Sequence, residues 1–410
     1  MKRAIVIGGG IAGCSTAYSL AKRGMQVTLL ERHSTLGFEA SGNPCAMLYP
    51  RISGDDSLSE FALAGYLYSL NLFTALHLNA NTFNRCGMLQ LGFNAREMAR
   101  IKKVATYYAN NNVVHYISQQ EASHLAGVIV QHDALYFPDA GWIKPSYLLP
   151  HLSQHDNITI QALTNIKALS FINHLWRVAD TDNNTHEAEI VVIANANEAK
   201  NFKQSAHIQT QAIHGQISLL GATTLSKNLN CIVCSDGYLS PSIDGRHSLG
   251  ATYATANIPL AINAQDHLKN FHTLKMISEQ LHQDLVPREL VQQLEQPAYK
   301  TPGRVSSRCT TSDYFPLVGQ LLNVETLRCQ PPRPNADTNA LPWLSGLYIN
   351  AAHGSKGFTS APLCAELLAS LICNETLPIS ATLAGLLNPN RFILRAMGLK
   401  RLAKTMAISS

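Results

Sequence analysis

Short apolar runs alternate with longer apolar or amphipathic stretches along the chain, and Gly, Pro, Asn or Asp separates most of them. Near the N-terminus, residues 4–7 predict a buried strand and residues 12–23 predict a helix that ends at Gly24. A second apolar run over Gln26–Leu30 predicts the next strand. The order of strand, Gly-rich turn, helix and strand is typical of a nucleotide-binding unit in a parallel α/β sheet.

The rest of the chain mixes helices with many short strands. Helices are predicted at residues 57–77, 96–110, 262–283 and 359–373. Strands are predicted at residues 88–93, 134–138, 158–163, 189–194, 213–220, 231–235, 238–243, 247–251 and 346–350. Asp244 and Gly245 mark a hairpin between two of these strands, and Ser118 with Glu121 predicts a capping box at the start of a short helix.

The distribution of these elements predicts an interleaved two-domain α/β protein. Rossmann-like segments occur at both ends of the chain and near its middle, whereas the segments between them look antiparallel. We expect a smaller mixed or antiparallel β-sheet domain to be inserted into a Rossmann-like domain. The Rossmann-like domain is predicted to comprise residues 1–85, 139–205 and 303–410, and the smaller one residues 86–138 and 206–302. The Pro-rich stretch 330–334 is predicted to be a surface loop.

The Gly-rich turn has the spacing G-x-G-x-x-G of a dinucleotide-binding motif. Gly8 permits the tight turn, Gly10 lets the backbone approach a pyrophosphate, and Gly13 lets the helix lie close to the sheet. Ile11 and Ala12 open the helix, where free N–H groups and a partial positive charge favour an anion. These residues predict an adenine dinucleotide site.

Glu31 follows the second strand, where a carboxylate can accept hydrogen bonds from a ribose diol. We expect Glu31 and the adjacent Arg32 to contact the adenosine half of the cofactor. An acidic residue here disfavours a 2′-phosphate and therefore NADP. The motif alone leaves FAD and NAD as alternatives.

Composition narrows the class of protein further. The chain has 410 residues, of which 46% are hydrophobic and only 14% charged, with a formal net charge of +5 that permits an acidic partner without requiring one. Nine scattered cysteines favour a reducing compartment, and no second pair accompanies Cys231 and Cys234 to make a zinc site. No apolar run is long enough to cross a membrane, so we expect a cytoplasmic protein. Since no zinc site is predicted, we also expect no bound metal ion. Cys14 leaves a lipoprotein signal as an alternative.

Several longer segments show a family resemblance. The chain resembles the D-amino-acid oxidase and glycine oxidase superfamily of FAD enzymes, and within it the FAD-dependent oxidase domain of the bifunctional tRNA-modifying MnmC enzymes. The segments that carry the resemblance are ASGNPCAMLYP (40–50), CGMLQL (86–91), YFPDAGWIKPSYLL (136–149), GRVSSRCTTSDYFPLVG (303–319), HGSKGFTSAPLCAELLAS (353–370) and NPNRF (388–392).

The resemblance implies a glycine oxidase-like fold, non-covalent FAD and an oxidoreductase that acts on CH–NH donors. Its substrate would be carboxymethylaminomethyl-(2-thio)uridine at the wobble position of tRNA, oxidised to glyoxylate and aminomethyl-uridine. In the fused enzymes a methyltransferase domain precedes this one, so the chain is either a stand-alone oxidase, with a separate methyltransferase as partner, or an excised half of a fused enzyme. A free glycine, sarcosine or D-amino-acid oxidase is the alternative.

The implied chemistry requires a carboxylate clamp and a flavin-ring loop. Arg308 matches the clamp of the glycine oxidase pattern, because a guanidinium grips a carboxylate with two hydrogen bonds; a structural salt bridge to Asp313 is the alternative. Tyr238 and Lys356 are expected to assist, with a core tyrosine and a solvated lysine as alternatives. The residues expected around the flavin ring are Ala40, Ser41, Gly42, Asn43, Gly354, Ser355, Lys356, Gly357 and Phe358.

Three further features complete the expectations. Cys309 lies where some sarcosine oxidases attach flavin covalently, but its neighbours differ, so non-covalent FAD is expected. His353 is a candidate base, although a substrate amine that enters neutral needs none. The basic residues near the C-terminus are expected to contact tRNA phosphates, with a solvated helix face as the alternative; they are Arg391, Arg395, Lys400, Arg401 and Lys404.

Overall fold

The computed structural model of the chain describes residues 2–255, 260–294 and 302–406. The strands, in chain order, are β1 (Arg3–Ile7), β2 (Gln26–Leu30), β3 (Ala46–Leu48), β4 (Phe83–Asn84), β5 (Met88–Leu91), β6 (His115–Ile117), β7 (Ala134–Phe137), β8 (Gly141–Ile143), β9 (Ile158–Gln161), β10 (Ile166–Ile172), β11 (Leu175–Asp180), β12 (Thr185–Ala188), β13 (Ile190–Ile193), β14 (Gln211–Gly221), β15 (Ile232–Cys234), β16 (Tyr238–Leu239), β17 (Arg246–Gly250), β18 (Ala254–Thr255), β19 (Gly303–Thr310), β20 (Leu317–Leu322) and β21 (Trp343–Ala351). The helices are α1 (Ile11–Ala21), α2 (Ser57–Ala75), α3 (Ala95–Tyr107), α4 (Gln119–Ala126), α5 (Pro145–Ser153), α6 (Ala264–Ile277), α7 (Glu279–Leu285), α8 (Arg288–Leu294), α9 (Val324–Cys329), α10 (Gly357–Cys373), α11 (Ala381–Gly385) and α12 (Arg391–Ala396).

A six-stranded sheet with the order β20-β21-β13-β1-β2-β9 forms the first half of the structure. Its strands are parallel except for β20, which is antiparallel to β21. Ile7 pairs with Leu30 on one side and with Ile193 on the other, so the carboxyl ends of three strands meet at one edge. The apolar β1 and β13 are almost completely buried, as expected for the centre of a parallel sheet.

Helices α1, α2 and α10 pack together in the largest apolar cluster of this half. Close approach depends on small residues, because a Cβ on Gly65 of α2 would lie 2.8 Å from the Thr359 carbonyl oxygen of α10. Ser69 strengthens the same contact by donating a hydrogen bond to that oxygen over 2.9 Å. The packing holds the N-termini of α1 and α10 at the edge of the parallel sheet.

A nine-stranded sheet forms the second half, in the order β18-β14-β17-β16-β15-β5-β7-β6 with β19 also paired to β14. Residues of α4, α6, α7 and α8 cover it and build a separate apolar cluster. The prediction of one helix over residues 262–283 is wrong, because the segment forms α6 and α7 with Ser278 between them. Ser278 accepts a hydrogen bond from the Leu281 N–H over 3.2 Å and caps α7, a role that serine fills better than a helix interior.

Two local features predicted from the sequence, a hairpin turn and a capping box, are present in the structure. Asp244 and Gly245 both have positive φ, 51° and 77°, which matches a tight hairpin turn and confirms the predicted hairpin. The capping box of Ser118 and Glu121 is present at the start of α4. The strand predicted at 238–243 is shorter, however: β16 comprises Tyr238–Leu239, and Pro241 has no N–H for a ladder.

The predicted division into two domains stays a proposal, and the pairing of β19 suggests one change to it. β19 lies in the nine-stranded sheet, antiparallel to β14 with Ile213 opposite Arg308. The boundary that we placed at residue 303 would therefore fall after Thr310. Among the described residues no helix is long and apolar enough to cross a membrane. The Pro-rich stretch 330–334 forms a mostly exposed loop, as predicted.

Candidate active site

A cavity of about 750 Å³ lies between the parallel sheet and the nine-stranded sheet. Its walls come from the β1–α1 turn, the loop before β3, strand β19, the segment after β17 and the loop between β21 and α10. Most of the residues predicted for the cofactor line it: Gly8, Gly10, Ile11, Ala12, Glu31, Arg32, Ala40, Ser41, Asn43, Gly354, Ser355, Lys356, Gly357 and Phe358.

The β1–α1 turn is built for close approach to an anion. Gly8 has φ +110°, and a Cβ there would lie 2.8 Å from the Ala194 carbonyl oxygen. Helix α1 has no acidic residue in its first turn and no side-chain cap at Gly10, although the Ile11 N–H donates to Ser41 Oγ over 3.0 Å. The remaining N–H groups of the first turn offer the positive end of the helix to a pyrophosphate.

Gly13 and Gly42 do not line the cavity, and both lie against backbone atoms. A Cβ on Gly13 would lie 1.7 Å from the Gly8 carbonyl oxygen, so this glycine lets α1 pack on the turn. A Cβ on Gly42 would lie 2.2 Å from the Gly37 carbonyl oxygen, so this one lets the loop fold on itself. Both act on the site through backbone packing.

Two charged residues shape the adenosine end of the cavity. Glu31 is only 7% exposed, and its two oxygens accept hydrogen bonds from the N–H groups of Gly9 over 2.7 Å and His33 over 2.8 Å. Arg32 forms ion pairs with Glu198 and Glu39. Because Arg32 is already paired with these two carboxylates, its charge is neutralised. Arg32 therefore does not favour binding of a 2′-phosphate at this end of the cavity.

Buried polar atoms on the cavity wall provide a fit test for the cofactor. Asn195 Oδ1, Asn197 Oδ1 and Ser235 Oγ are buried and have no hydrogen-bond partner within the described parts of the chain. Unpaired buried polar atoms are rare in folded proteins, and here all three line the same cavity. Together with the free N–H groups of α1, they fit a large polar ligand such as a flavin dinucleotide.

Arg304 anchors the loop before β3, and sequence reasoning missed it. Its guanidinium donates to Asn43 Oδ1 over 3.0 Å and to the Phe38 carbonyl over 2.6 Å, and it also donates to the Glu39 carbonyl. Burial lowers the pKa of Arg304, with Glu39 acting in the opposite direction. The arginine lies on β19, so the nine-stranded sheet fixes a loop of the cofactor site.

Arg308 reaches the cavity from the same strand. Its Nη1 donates to the Thr252 carbonyl over 3.2 Å, and its Cζ lies 4.6 Å from the centroid of the Tyr253 ring. The guanidinium lies against Gly215, where a Cβ would approach it to 2.3 Å. No carboxylate of the described residues pairs with Arg308, so its remaining guanidinium N–H groups are available to a ligand.

The alternative partner of Arg308 is excluded by the contacts of Asp313. Arg391 is fully buried and donates to both oxygens of Asp313, over 2.7 and 2.9 Å, and Arg395 approaches the same carboxylate to 3.3 Å. The expectation that Arg391 contacts tRNA is therefore wrong, because its side chain serves a buried ion pair. No local feature of NPNRF predicts that this arginine is internal.

Lys356 lies at the N-terminus of α10 and faces the same cavity. Its Nζ is 3.5 Å from the centroid of the Tyr49 ring. Burial lowers the pKa of Lys356 to about 7; the Cys234 thiol opposes this, and the charges of Arg51 and Arg308 add to it. The solvated-lysine alternative is thus wrong, and Tyr49 and Arg51 are two wall residues that the sequence analysis did not single out.

Tyr238 is partly buried and lines the cavity beside this group of cations. Burial and nearby cysteines raise its pKa while Arg308 lowers it, so the hydroxyl keeps its proton. His353 accepts or donates at both ring nitrogens, 2.9 Å from Ser360 Oγ and 2.9 Å from Asn350 Oδ1, and burial lowers its pKa to about 3. This histidine is held neutral and occupied, which disfavours it as a base.

The positions of Cys14 and Cys309 disfavour two alternatives, a lipoprotein signal and covalent attachment of the flavin. Cys14 is fully buried in α1, and its thiol contacts the Gly9 carbonyl at 3.4 Å, so a lipid on it would require the motif to unfold. Cys309 lines the cavity but is 5% exposed, and burial raises its pKa to about 11. A thiol that keeps its proton is a poor nucleophile toward a flavin.

The FAD dependent oxidoreductase (DAO) family matches residues 3–371. The chain belongs to this family. It is 42% identical over 407 residues to the tRNA 5-methylaminomethyl-2-thiouridine biosynthesis bifunctional protein MnmC of Methylobacillus flagellatus, covering 99% of this chain and 61% of that protein. It is 37% identical over 402 residues to the MnmC protein of Pseudomonas fluorescens, covering 97% of this chain and 60% of that protein.

The chain of this family member thus spans about three-fifths of the length of these MnmC proteins. The solved glycine oxidase of Geobacillus kaustophilus superposes with a TM-score of 0.74 at 18% identity, covering 95% of this chain and 99% of that one. This likeness confirms the predicted α/β fold with a parallel cofactor sheet and a mixed second sheet. The family assignment confirms FAD as the cofactor and an oxidoreductase as the class of enzyme.

Proposed function

We propose that this oxidoreductase oxidises the secondary amine of carboxymethylaminomethyl-(2-thio)uridine at the tRNA wobble position to an imine by removing a hydride and a proton, and that water hydrolyses the imine to glyoxylate and aminomethyl-uridine. The observation that carries the proposal is Arg308, a cavity-lining guanidinium whose neighbours in the described chain are a carbonyl and an aromatic ring. A planar guanidinium with free N–H groups selects a carboxylate. The substrate carries such a carboxylate next to the carbon that is oxidised.

Different residues of the cavity would hold the cofactor and the substrate. Gly8, Gly10 and the start of α1 would hold the pyrophosphate of FAD, and Glu31 would hold its ribose. When bound, FAD supplies hydride acceptance at the carbon between the amine and the carboxylate. The N-terminus of α10, with Lys356, places positive charge at the other end of the cavity.

The same cations control the protonation of the substrate. Arg51, Arg308 and Lys356 all line one cavity, and a like charge nearby disfavours a protonated amine. The cavity therefore favours the neutral form of the bound amine, which has the lone pair that oxidation requires. This removes the need for a protein base, consistent with the occupied nitrogens of His353.

The proposed macromolecular partner follows from the relatives. The MnmC proteins named above act in biosynthesis of a modified tRNA uridine, and they share more than a third of the residues of this chain. We infer that tRNA with its wobble uridine is the substrate, that the reaction takes place in the cytoplasm, and that a methyltransferase takes the product onward.

The decisive experiment is anaerobic bleaching of the flavin. The oxidised holoenzyme is mixed with tRNA from a strain blocked at the carboxymethylaminomethyl stage, and loss of flavin absorbance is followed together with glyoxylate release. The same tRNA carrying the finished modification is the control and should leave the flavin oxidised. Bleaching by glycine or sarcosine at equal concentration, with none by the hypomodified tRNA, would instead establish a free amino-acid oxidase.

A further inference from the structure

Tyr253 is an exposed aromatic residue at the rim of the cavity. Its side chain is 63% exposed although it lines the cavity and lies over Arg308, with 4.6 Å between Cζ and the ring centroid. The guanidinium covers one face of the ring. Because most of the side chain remains accessible, the other face is open to a ligand.

The backbone that carries this ring is firmly anchored. The Thr252 N–H donates to the Gln216 carbonyl over 3.1 Å, and the Gln216 N–H donates to Thr252 Oγ1 over 3.0 Å. On the other side of Tyr253, Ala254 pairs with His214 in the nine-stranded sheet. Thr252 and Gln216 are buried, so an exposed ring is held on a rigid support. Such pre-organisation lowers the entropy cost of binding a flat ligand.

The position of Tyr253 next to Arg308 indicates which part of a substrate it meets. In the proposed substrate a short CH₂–NH–CH₂ chain joins the carboxylate to the uracil ring. If Arg308 holds the carboxylate, the base must lie close to the residues that surround the guanidinium on the open side. Every nucleobase has a π face, and stacking on an aromatic side chain is a common way to hold an unpaired base.

We infer that Tyr253 is a specificity-determining residue that stacks on the uracil of the wobble nucleotide while Arg308 holds the carboxylate. The inference rests on the proposed function. It gives a role to a large aromatic side chain that is exposed at this rim, because a glycine or sarcosine substrate has no ring to stack on it. Leu260, 48% exposed, lines the cavity as well and adds apolar surface.

The test compares two ligands that cannot be oxidised, because an ether oxygen replaces the amine nitrogen. One is methoxyacetate, the counterpart of sarcosine. The other is the nucleoside 5-(carboxymethoxymethyl)uridine, which carries the uracil. Dissociation constants are measured from the change in flavin absorbance of the holoenzyme, for the wild type and for Tyr253→Leu and Tyr253→Phe. Tyr147→Leu is the matched control, because Tyr147 is also 60% exposed and lies beside a cation, Lys144, but does not line the cavity.

The expected result is selective. Tyr253→Leu should weaken the uracil-bearing ligand roughly 5- to 150-fold while changing methoxyacetate much less, and Tyr253→Phe should stay close to the wild type. An equal loss for both ligands would show that Tyr253 acts only by positioning Arg308 and would overturn the inference. A wild-type preference for the uracil-bearing ligand that persists in Tyr253→Leu would also overturn it, with the proposed function intact. A wild type that binds both ligands equally would overturn the proposed function as well.

Discussion

The Nζ of Lys356 lies 3.5 Å from the centroid of the Tyr49 ring, inside a cavity that also contains Arg51 and Arg308. The aromatic face partly replaces the water that a lysine loses on burial. Burial nevertheless lowers the pKa of Lys356 to about 7, with the two arginines contributing. This amine therefore changes its charge near neutral pH.

Titration of Lys356 should make binding of a carboxylate ligand depend on pH. Below pH 7 the amine is charged and adds to the attraction of Arg308; above pH 7 it becomes neutral and the attraction falls. We expect the dissociation constant of methoxyacetate to rise roughly tenfold between pH 6 and pH 8.5, the effect of one nearby charge. The measurement is a flavin absorbance titration at several pH values.

Replacement of the lysine tests the origin of this dependence. Lys356→Met should bind the ligand weakly with a nearly flat pH profile. Lys22→Met is the matched control, since Lys22 also lies over a tyrosine ring, 5.4 Å from the centroid of Tyr18, but outside the cavity. A Lys356→Met protein that keeps the full pH dependence would assign the titration to another group.

Arg308 should be the dominant determinant of carboxylate affinity. Arg308→Lys keeps the charge but loses the planar fork, and Arg308→Gln loses both. We expect Arg308→Gln to lose about 2–5 kcal/mol of binding free energy for methoxyacetate, which is roughly 30- to several-thousandfold, with Arg308→Lys intermediate. Arg328→Lys, an exposed position outside the cavity, should bind like the wild type. Wild-type affinity in Arg308→Gln would remove Arg308 from the site.

Gly13 should be intolerant of even one methyl group, although it does not face the cofactor. A Cβ there would lie 1.7 Å from the Gly8 carbonyl oxygen, so Gly13→Ala must push α1 away from the turn. Overpacking against backbone costs at least about 1–3 kcal/mol, and we expect a lower Tm with loss of bound FAD. Gly221→Ala is the control, because a Cβ there meets no atom of the described residues within 4 Å and should leave both unchanged.

Local sequence patterns were enough to predict most of the helices and strands. The run Gln26–Leu30 was predicted with its observed bounds, because a buried strand between Gly-rich turns has few other interpretations. The helix over 262–283 failed because its apolar periodicity continues across Ser278, whose capping role depends on the tertiary bend. The prediction that Arg391 contacts tRNA failed for the same kind of reason, since only the folded chain brings Asp313 next to Arg391.

The candidate site was predictable only where a motif marks it. The glycines of the β1–α1 turn and the loop Gly354–Phe358 stand in recognisable patterns, and the structure places both at one cavity. Tyr253 carries no local signature, and nothing in the motif 303–319 distinguishes Arg304 from its neighbours as a residue of the site. Their importance comes from the pairing of β14 with β19, which brings residues far apart in the sequence to one wall. Long-range strand register of this kind cannot be read from periodicity.

The Asp313 and Arg391 pair should govern stability and not ligand binding. Burial raises the pKa of Asp313, but the hydrogen bonds from Arg391 outweigh it, so the pKa of the carboxyl lies below its ordinary value. The pair therefore stabilises the fold above the ordinary pKa of aspartate and loses this contribution as pH falls through the lowered value. Asp313→Asn leaves Arg391 buried and unpaired, which should cost about 3–5 kcal/mol at pH 7.

Denaturant unfolding at pH 7 and at acidic pH measures this contribution. Asp313→Asn should be much less stable than the wild type at pH 7, and the difference should shrink on acidification because the wild type then loses the same charge. Asp156→Asn, at an exposed aspartate, should follow the wild type at both pH values. Since Asp313 does not line the cavity, the folded variant should bind methoxyacetate normally. A selective loss of ligand affinity with unchanged stability would instead place this pair in the functional site.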